Sequence, residues 1–147
     1  MNVRKYIKCF CLVVFLPLLM MSSLTGCDTE VSERDTILRG GILFLRGDDR
    51  PFTGYVVGKS REGYRTQTCA FKKEYKKGVL DGVTSFWYPN GKLESTVPYK
   101  DGKVHGYLTR YWDNGKPRLR IHFKDGMRGG ARGEMFWDRN GHKVSSN

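Results

Sequence analysis

The sequence predicts an all-β fold, an elongated, twisted antiparallel sheet built from serial β-hairpins. Three observations predict it. Glycines recur at a fixed interval: Gly82, Gly91, Gly102 and Gly106 are followed 24 residues later by Gly106, Gly115, Gly126 and Gly130. An Asn-Gly pair recurs at the same place in three successive units, in Tyr88-Pro89-Asn90-Gly91-Lys92, Trp112-Asp113-Asn114-Gly115-Lys116 and, more loosely, Asp138-Arg139-Asn140-Gly141-His142, and Glu62-Gly63 replaces it in the copy before them. The runs between the turns alternate, Leu119, Ile121 and Phe123 interleaving with Arg118, Arg120, His122 and Lys124, which is the period of a strand with one apolar and one cationic face.

Met1 to Lys8 is short and basic, and Cys9 to Met21 is an apolar run too short to span a bilayer, since spanning takes about 20 apolar residues. This is the pattern of an export signal. Leu24-Thr25-Gly26-Cys27 resembles the lipobox of bacterial lipoproteins, which implies cleavage after residue 26 and a lipid on Cys27. Asp28 resembles the residue that retains such proteins in the inner membrane of Gram-negative cells, facing the periplasm. With Cys9 and Cys11 removed and Cys27 blocked, Cys69 is the one thiol left; it sits in a strand-like run and reads as a small buried hydrophobe. Asp28, Glu30, Glu33 and Asp35 make 27–36 read as a solvated tether.

The repeat domain is expected over 37–147, with units near 54–81, 82–105, 106–129 and 130–147. Ile42-Leu43-Phe44-Leu45, between Gly40-Gly41 and Gly47-Asp48-Asp49, reads as a strand buried on both faces. Gly54 and Gly63 open a degenerate first copy, and the fourth runs out at the C-terminus; end copies of an array are often atypical because they cap it. Each Asn-Gly predicts a two-residue type I′ turn with positive φ at both positions, making Asn90, Gly91, Asn114, Gly115, Asn140 and Gly141 structural turn residues. Lys100-Asp101-Gly102-Lys103 and Lys124-Asp125-Gly126-Met127 read as separators between hairpins. In the second unit Leu93, Val97 and Tyr99 are expected opposite Glu94, Thr96 and Pro98.

Hairpins of this length, with aromatic first strands (Phe86-Trp87-Tyr88, Tyr111-Trp112, Phe136-Trp137), the Asn-Gly-Lys turn, the Tyr99-Lys100-Asp101-Gly102-Lys103 close and the Pro51-Phe52-Thr53-Gly54 lead-in, resemble the MORN-repeat variant of the YwqK-type antitoxin family. The resemblance covers about Ile42 to Lys143. It implies the stacked-hairpin sheet and an antitoxin-like or immunity-like role, the neutralisation of a protein toxin; lipoproteins with such repeats resemble the immunity proteins that accompany secreted phospholipase effectors.

Composition bounds the function. The chain has 147 residues, 26 Lys and Arg against 15 Asp and Glu, and a net charge of +11. From Arg50 onward 20 basic residues face nine acidic ones, so the repeats carry the excess. Such a surface attracts an acidic protein, anionic headgroups or nucleic acid, and the last is not expected for an exported lipoprotein. Trp87, Tyr111, Trp112, Arg118 and Arg120 are the candidate binding residues, because Trp, Tyr and Arg dominate binding hot spots. The alternative reading is a non-enzymatic envelope scaffold on anionic phospholipid. Catalysis is not expected: His105, His122 and His142 are not at metal-ligand spacing, and neither Gly-x-Ser-x-Gly nor Cys-x-x-Cys occurs. No catalytic residue, metal or cofactor is therefore assigned.

Overall fold

The computed structural model describes residues 29–60, 69–130 and 133–145, leaving out the side chains of Ser60 and Cys69. The segment read as an export signal, Cys27, Asp28 and Gly63 lie outside the described residues, as does the side-chain environment expected for Cys69. The rest forms a long twisted sheet of hairpins, with no α-helix among the described residues.

Among the described residues twelve strands make the sheet. The long ones follow chain order, β4 (Gly54–Ser60), β5 (Cys69–Lys76), β7 (Gly82–Trp87), β8 (Leu93–Lys100), β10 (Gly106–Tyr111), β11 (Pro117–Lys124), β13 (Glu134–Trp137) and β14 (Lys143–Val144), each antiparallel to the next. Three two-residue strands, β6 (Val79–Leu80), β9 (Lys103–Val104) and β12 (Met127–Arg128), fold back on β5, β8 and β11. A hairpin of β2 (Thr36–Arg39) and β3 (Ile42–Leu45) forms a second sheet.

The expected tether over 27–36 does not hold where it is described. Glu30–Ser32 is β1, which pairs parallel with β4; Glu33–Asp35 is a 3₁₀ turn capped by Ser32. Val31 overrides its acidic neighbours by packing on the core, and Glu30 reaches Lys72 Nζ at 2.8 Å.

The turns also depart from expectation. Gly91, Gly115 and Gly141 have φ of 80°, 90° and 88°, but Asn90, Asn114 and Asn140 are not in the left-handed region. Tyr88 N–H donates to Lys92 O at 2.8 Å and Gly91 N–H to Tyr88 O at 2.9 Å, enclosing three residues, and the same bonds recur at Trp112 and Asp138. An odd loop of this kind takes a type I turn followed by a left-handed glycine. The type I′ turns lie instead at the two separators, and also at Lys77-Gly78 and Gly40-Gly41. Asp101 and Gly102 have φ of 49° and 78°, Asp125 and Gly126 of 52° and 84°, Lys77 and Gly78 of 50° and 77°, and Gly40 and Gly41 of 56° and 82°.

Register defines two faces. Val56, Phe71, Phe86, Ser95, Arg110, Leu119 and Phe136 lie on one line of paired or alternating positions, here the inner face; Ala70, Trp87, Thr96, Thr109, Arg120 and Met135 lie on the outer one. The β2–β3 hairpin covers the inner face over β4, β5 and β7. There Leu43, Phe52, Val56, Phe71 and Phe86 are buried, with Val31, Leu45, Tyr75 and Val97 packed around them. Full burial of such side chains contributes about 1.5 to 3 kcal/mol each. Leu43 is the one fully buried member of β3, so the hairpin is a lid covered on one side and not the doubly buried strand expected. Beyond Ser95 no described residue is buried.

Candidate interaction surface

Two bulges set the side chains of the central units. Phe86 pairs with Ser95 but Trp87 with Leu93, leaving Glu94 as an extra residue; Arg110 pairs with Leu119 but Tyr111 with Pro117, leaving Arg118 as the extra one. A bulge breaks the alternation of the strand. Leu93 consequently shares the outer side with Trp87 and Thr96, while Glu94 turns to the inner face. This corrects the simple alternation expected for that strand, in which Leu93 accompanied Val97 and Tyr99.

Glu94 is 5 % exposed, and Arg110 Nη2 donates to its Oε1 at 3.1 Å. A buried carboxylate is costly unless paired, which this contact provides. Burial first, and the Glu94 carboxylate second, push the nearby Tyr88 hydroxyl above its ordinary pKa. Arg128 pairs with Glu134 on the same face, at 2.6 Å. The two carboxylates of the inner face of the later units are thus each held by an arginine, among apolar side chains: Leu108, Leu119, Ile121, Phe123 and Phe136 are all half-buried.

Along one edge the three-residue loops form a ladder. Asn90 Oδ1 accepts from Lys92 N–H at 3.0 Å, while its Nδ2 donates to Asp113 O at 3.1 Å and Lys92 Nζ donates to Asn114 O at 3.1 Å. One unit on, Asn114 Oδ1 accepts from Lys116 N–H, Asn114 Nδ2 donates to Arg139 O and Lys116 Nζ to Asn140 O, at 2.9, 2.9 and 2.7 Å. Tyr88 Oη donates to Tyr111 O at 2.7 Å, and Trp112 Nε1 to Trp137 O at 3.2 Å. In the last loop Asp138 Oδ1 takes the Asn role, accepting from Asn140 N–H and His142 N–H at 2.9 Å, and those bonds hold its carboxyl below the usual range. On the other edge Gly78, Gly102 and Gly126 N–H donate back to Phe52, Leu80 and Val104 carbonyls. The Asn-Gly-Lys motif is thus an inter-unit bracket.

The five candidate binding residues do not converge. Trp112 and Arg118 belong to the inner side of the loop edge, where the Arg118 guanidinium lies 4.4 Å from the Trp112 ring and Arg139 flanks that ring at 5.2 Å. Trp112 is a half-buried strut between units. Trp87, Tyr111 and Arg120 are on the outer face. Trp87 and Tyr111 are half-buried, whereas Arg120 is exposed and stacks at 4.0 Å over Tyr107, which also meets the His122 ring at 4.9 Å. Tyr107 and His122, outside the candidate set, alternate with Leu108 and Ile121 and so lie beside Arg120 on the outer face; the inward turn of Glu94 follows from a bulge, which leaves no simple sequence signal.

The outer face from β8 onward has one sign. Register puts Lys100, Lys103, Arg120, His122, Lys124 and Lys143 there, with Tyr107, Tyr111 and Trp137. No carboxylate occupies a strand position on that face among the described residues: Glu94 and Glu134 are inner, and Asp101, Asp113, Asp125 and Asp138 are at turns. Among these residues no group of His, Cys, Asp and Glu could hold a metal ion.

The family described as MORN repeat variant matches two consecutive stretches, residues 80–101 and 104–125. They correspond to the β6–β8 and β9–β11 units, the central and most regular part of the sheet. Repeats of this type are generally modules of protein or membrane interaction. No curated protein and no solved structure matches the chain.

Proposed function

We propose that this chain is an exported binding protein, anchored by a lipid on Cys27 in the inner membrane and facing the periplasm, that captures and neutralises a protein toxin or secreted effector, a phospholipase among the candidates. It acts by occupying its partner, without catalysis. The observation that carries this reading is the single-signed, aromatic outer face of the later units, unlike a surface whose charges serve solubility alone, where both signs intermix. The YwqK-type resemblance supplies the antitoxin direction. A deletion strain should become sensitive to an effector expressed in its periplasm or delivered by a sibling strain, and the wild-type gene should restore resistance. Cys27→Ala should lose fatty-acid labelling and membrane retention, and with them protection. A deletion strain as resistant as its parent would overturn the neutralisation reading.

A second reading is favoured by the same cations, an envelope scaffold that rests on anionic phospholipid. Acyl chains and basic charge then act as two membrane signals. Its mark is retention of the lipid-free chain on phosphatidylglycerol vesicles but not on phosphatidylcholine.

A further inference from the structure

We infer that the outer face of β8 to β14 is the docking surface and that the partner presents it with an acidic protein surface; this rests on the binding reading above. The two faces of the later units differ in chemistry. On the inner face Glu94–Arg110 and Arg128–Glu134 pair off, and the exposed Arg118 at the loop edge lies against Trp112, so among the described residues that face carries one cation outside these pairs where the outer face carries a row of them. The outer face carries five exposed Lys and Arg side chains, Lys100, Lys103, Arg120, Lys124 and Lys143, with no strand carboxylate among them in the described residues. Tyr107 and Met127 on the same side are 43 % and 71 % exposed, which supplies apolar contact between the charges. Arg120 is held against Tyr107, so its planar fork is oriented before a carboxylate arrives.

Shape decides between a protein and a bilayer. Neighbouring strands rotate by about 20 to 25°, so β8 and β14, four steps apart, are turned by about 80 to 100°. The cations on Lys100 and Lys143 thus point in widely different directions. A planar membrane touches one end of that row, whereas a convex acidic protein can follow the twist and meet all of it.

The test uses the full chain reconstituted in phosphatidylcholine nanodiscs, with labelled poly-L-glutamate as the acidic polypeptide probe and phosphatidylglycerol vesicles as the lipid probe. Poly-L-glutamate should bind, and Arg120→Glu with Lys124→Glu should weaken it by about tenfold or more. Lys59→Glu with Lys76→Glu changes net charge equally on the outer face of the earlier strands and should have a much smaller effect. The milder Arg120→Gln with Lys124→Gln should fall between, which guards against a folding defect. Equal losses in both reversal variants would overturn the assignment of this face. Vesicle capture without poly-L-glutamate binding would replace the protein partner with a membrane. If the Arg120/Lys124 variant loses the probe but still protects cells, neutralisation stands and this docking face falls. If the probe behaves as expected but wild-type protein protects nothing, the face stands and neutralisation falls.

Discussion

The sheet has a covered half and an open half, although both are made of the same hairpin unit. Over β4, β5 and β7 the inner face lies beneath the β2–β3 lid, and Phe71, at 2 % exposure, packs against Phe86 with ring centroids 6.4 Å apart. From β10 onward equivalent positions hold Leu108, Leu119, Ile121 and Phe136, which are half-buried, and nothing in the described residues covers them. The open half is instead tied along its edges, by the Asn and Lys side chains of one loop and by the glycine N–H groups of the opposite turns. One unit can therefore be stabilised either by a core or by its neighbours' backbone. Only the second way leaves both faces free for contact.

The largest effect should come from the core. Phe71→Ala is expected to cost about 3 to 5 kcal/mol in denaturant unfolding. Ile121→Ala, on the same face of the open half, should cost about 1 kcal/mol, because half-burial yields only part of the transfer energy. Equal costs would break the contrast. Next comes the edge. Gly115 has φ of 90° and a Cβ there would approach only Lys92 Cδ, at 3.8 Å, so Gly115→Val should lose about 1 to 3 kcal/mol through backbone strain alone. Asn114→Ala removes two bonds of the ladder and should cost about 1 kcal/mol. Its faster hydrogen exchange should be confined to 112–144; acceleration spreading into β5 would mean that the halves unfold as one.

The smallest effect lies at the margin of the lid. Hydrogen bonds from Arg50 lower the Asp48 carboxyl to about 2 from 3.8. A depressed folded-state pKa contributes stability that is present above the unfolded value and is lost as pH falls through the folded one. The contribution of this exposed pair should fade between about pH 4 and pH 2. Carboxyl NMR titration checks it, and Arg50→Gln should return Asp48 towards the ordinary range.

Much of the fold was legible in the sequence because glycine spacing and alternation report local geometry directly. What escaped depended on counts of one residue or on partners far along the chain. The choice between a type I′ turn and a three-residue loop depends on whether Tyr88 or Pro89 closes the hairpin, which Asn-Gly alone does not decide. Glu94 and Arg118 occupy bulges, and a single extra residue reverses the expected face. Val31 joins the core across a long sequence separation from Phe71, so a local reading sees only its acidic neighbours. Strand alternation alone places Arg120 on the cationic face, where it is exposed. Trp112 has the chemistry of a contact residue, but its N–H is committed to Trp137.

The edge ladder runs one way: Asn90 and Lys92 give to the loop of Asn114, and Asn114 and Lys116 give to the loop of Asn140. The Asn114 loop receives at its carbonyls and offers at its side chains, so the ladder has a head and a tail. A duplicated copy of 92–115 inserted in phase would meet its expected donors above and acceptors below. Gene duplication can then lengthen the array without redesigning a core, and exposed surface grows in proportion to copy number.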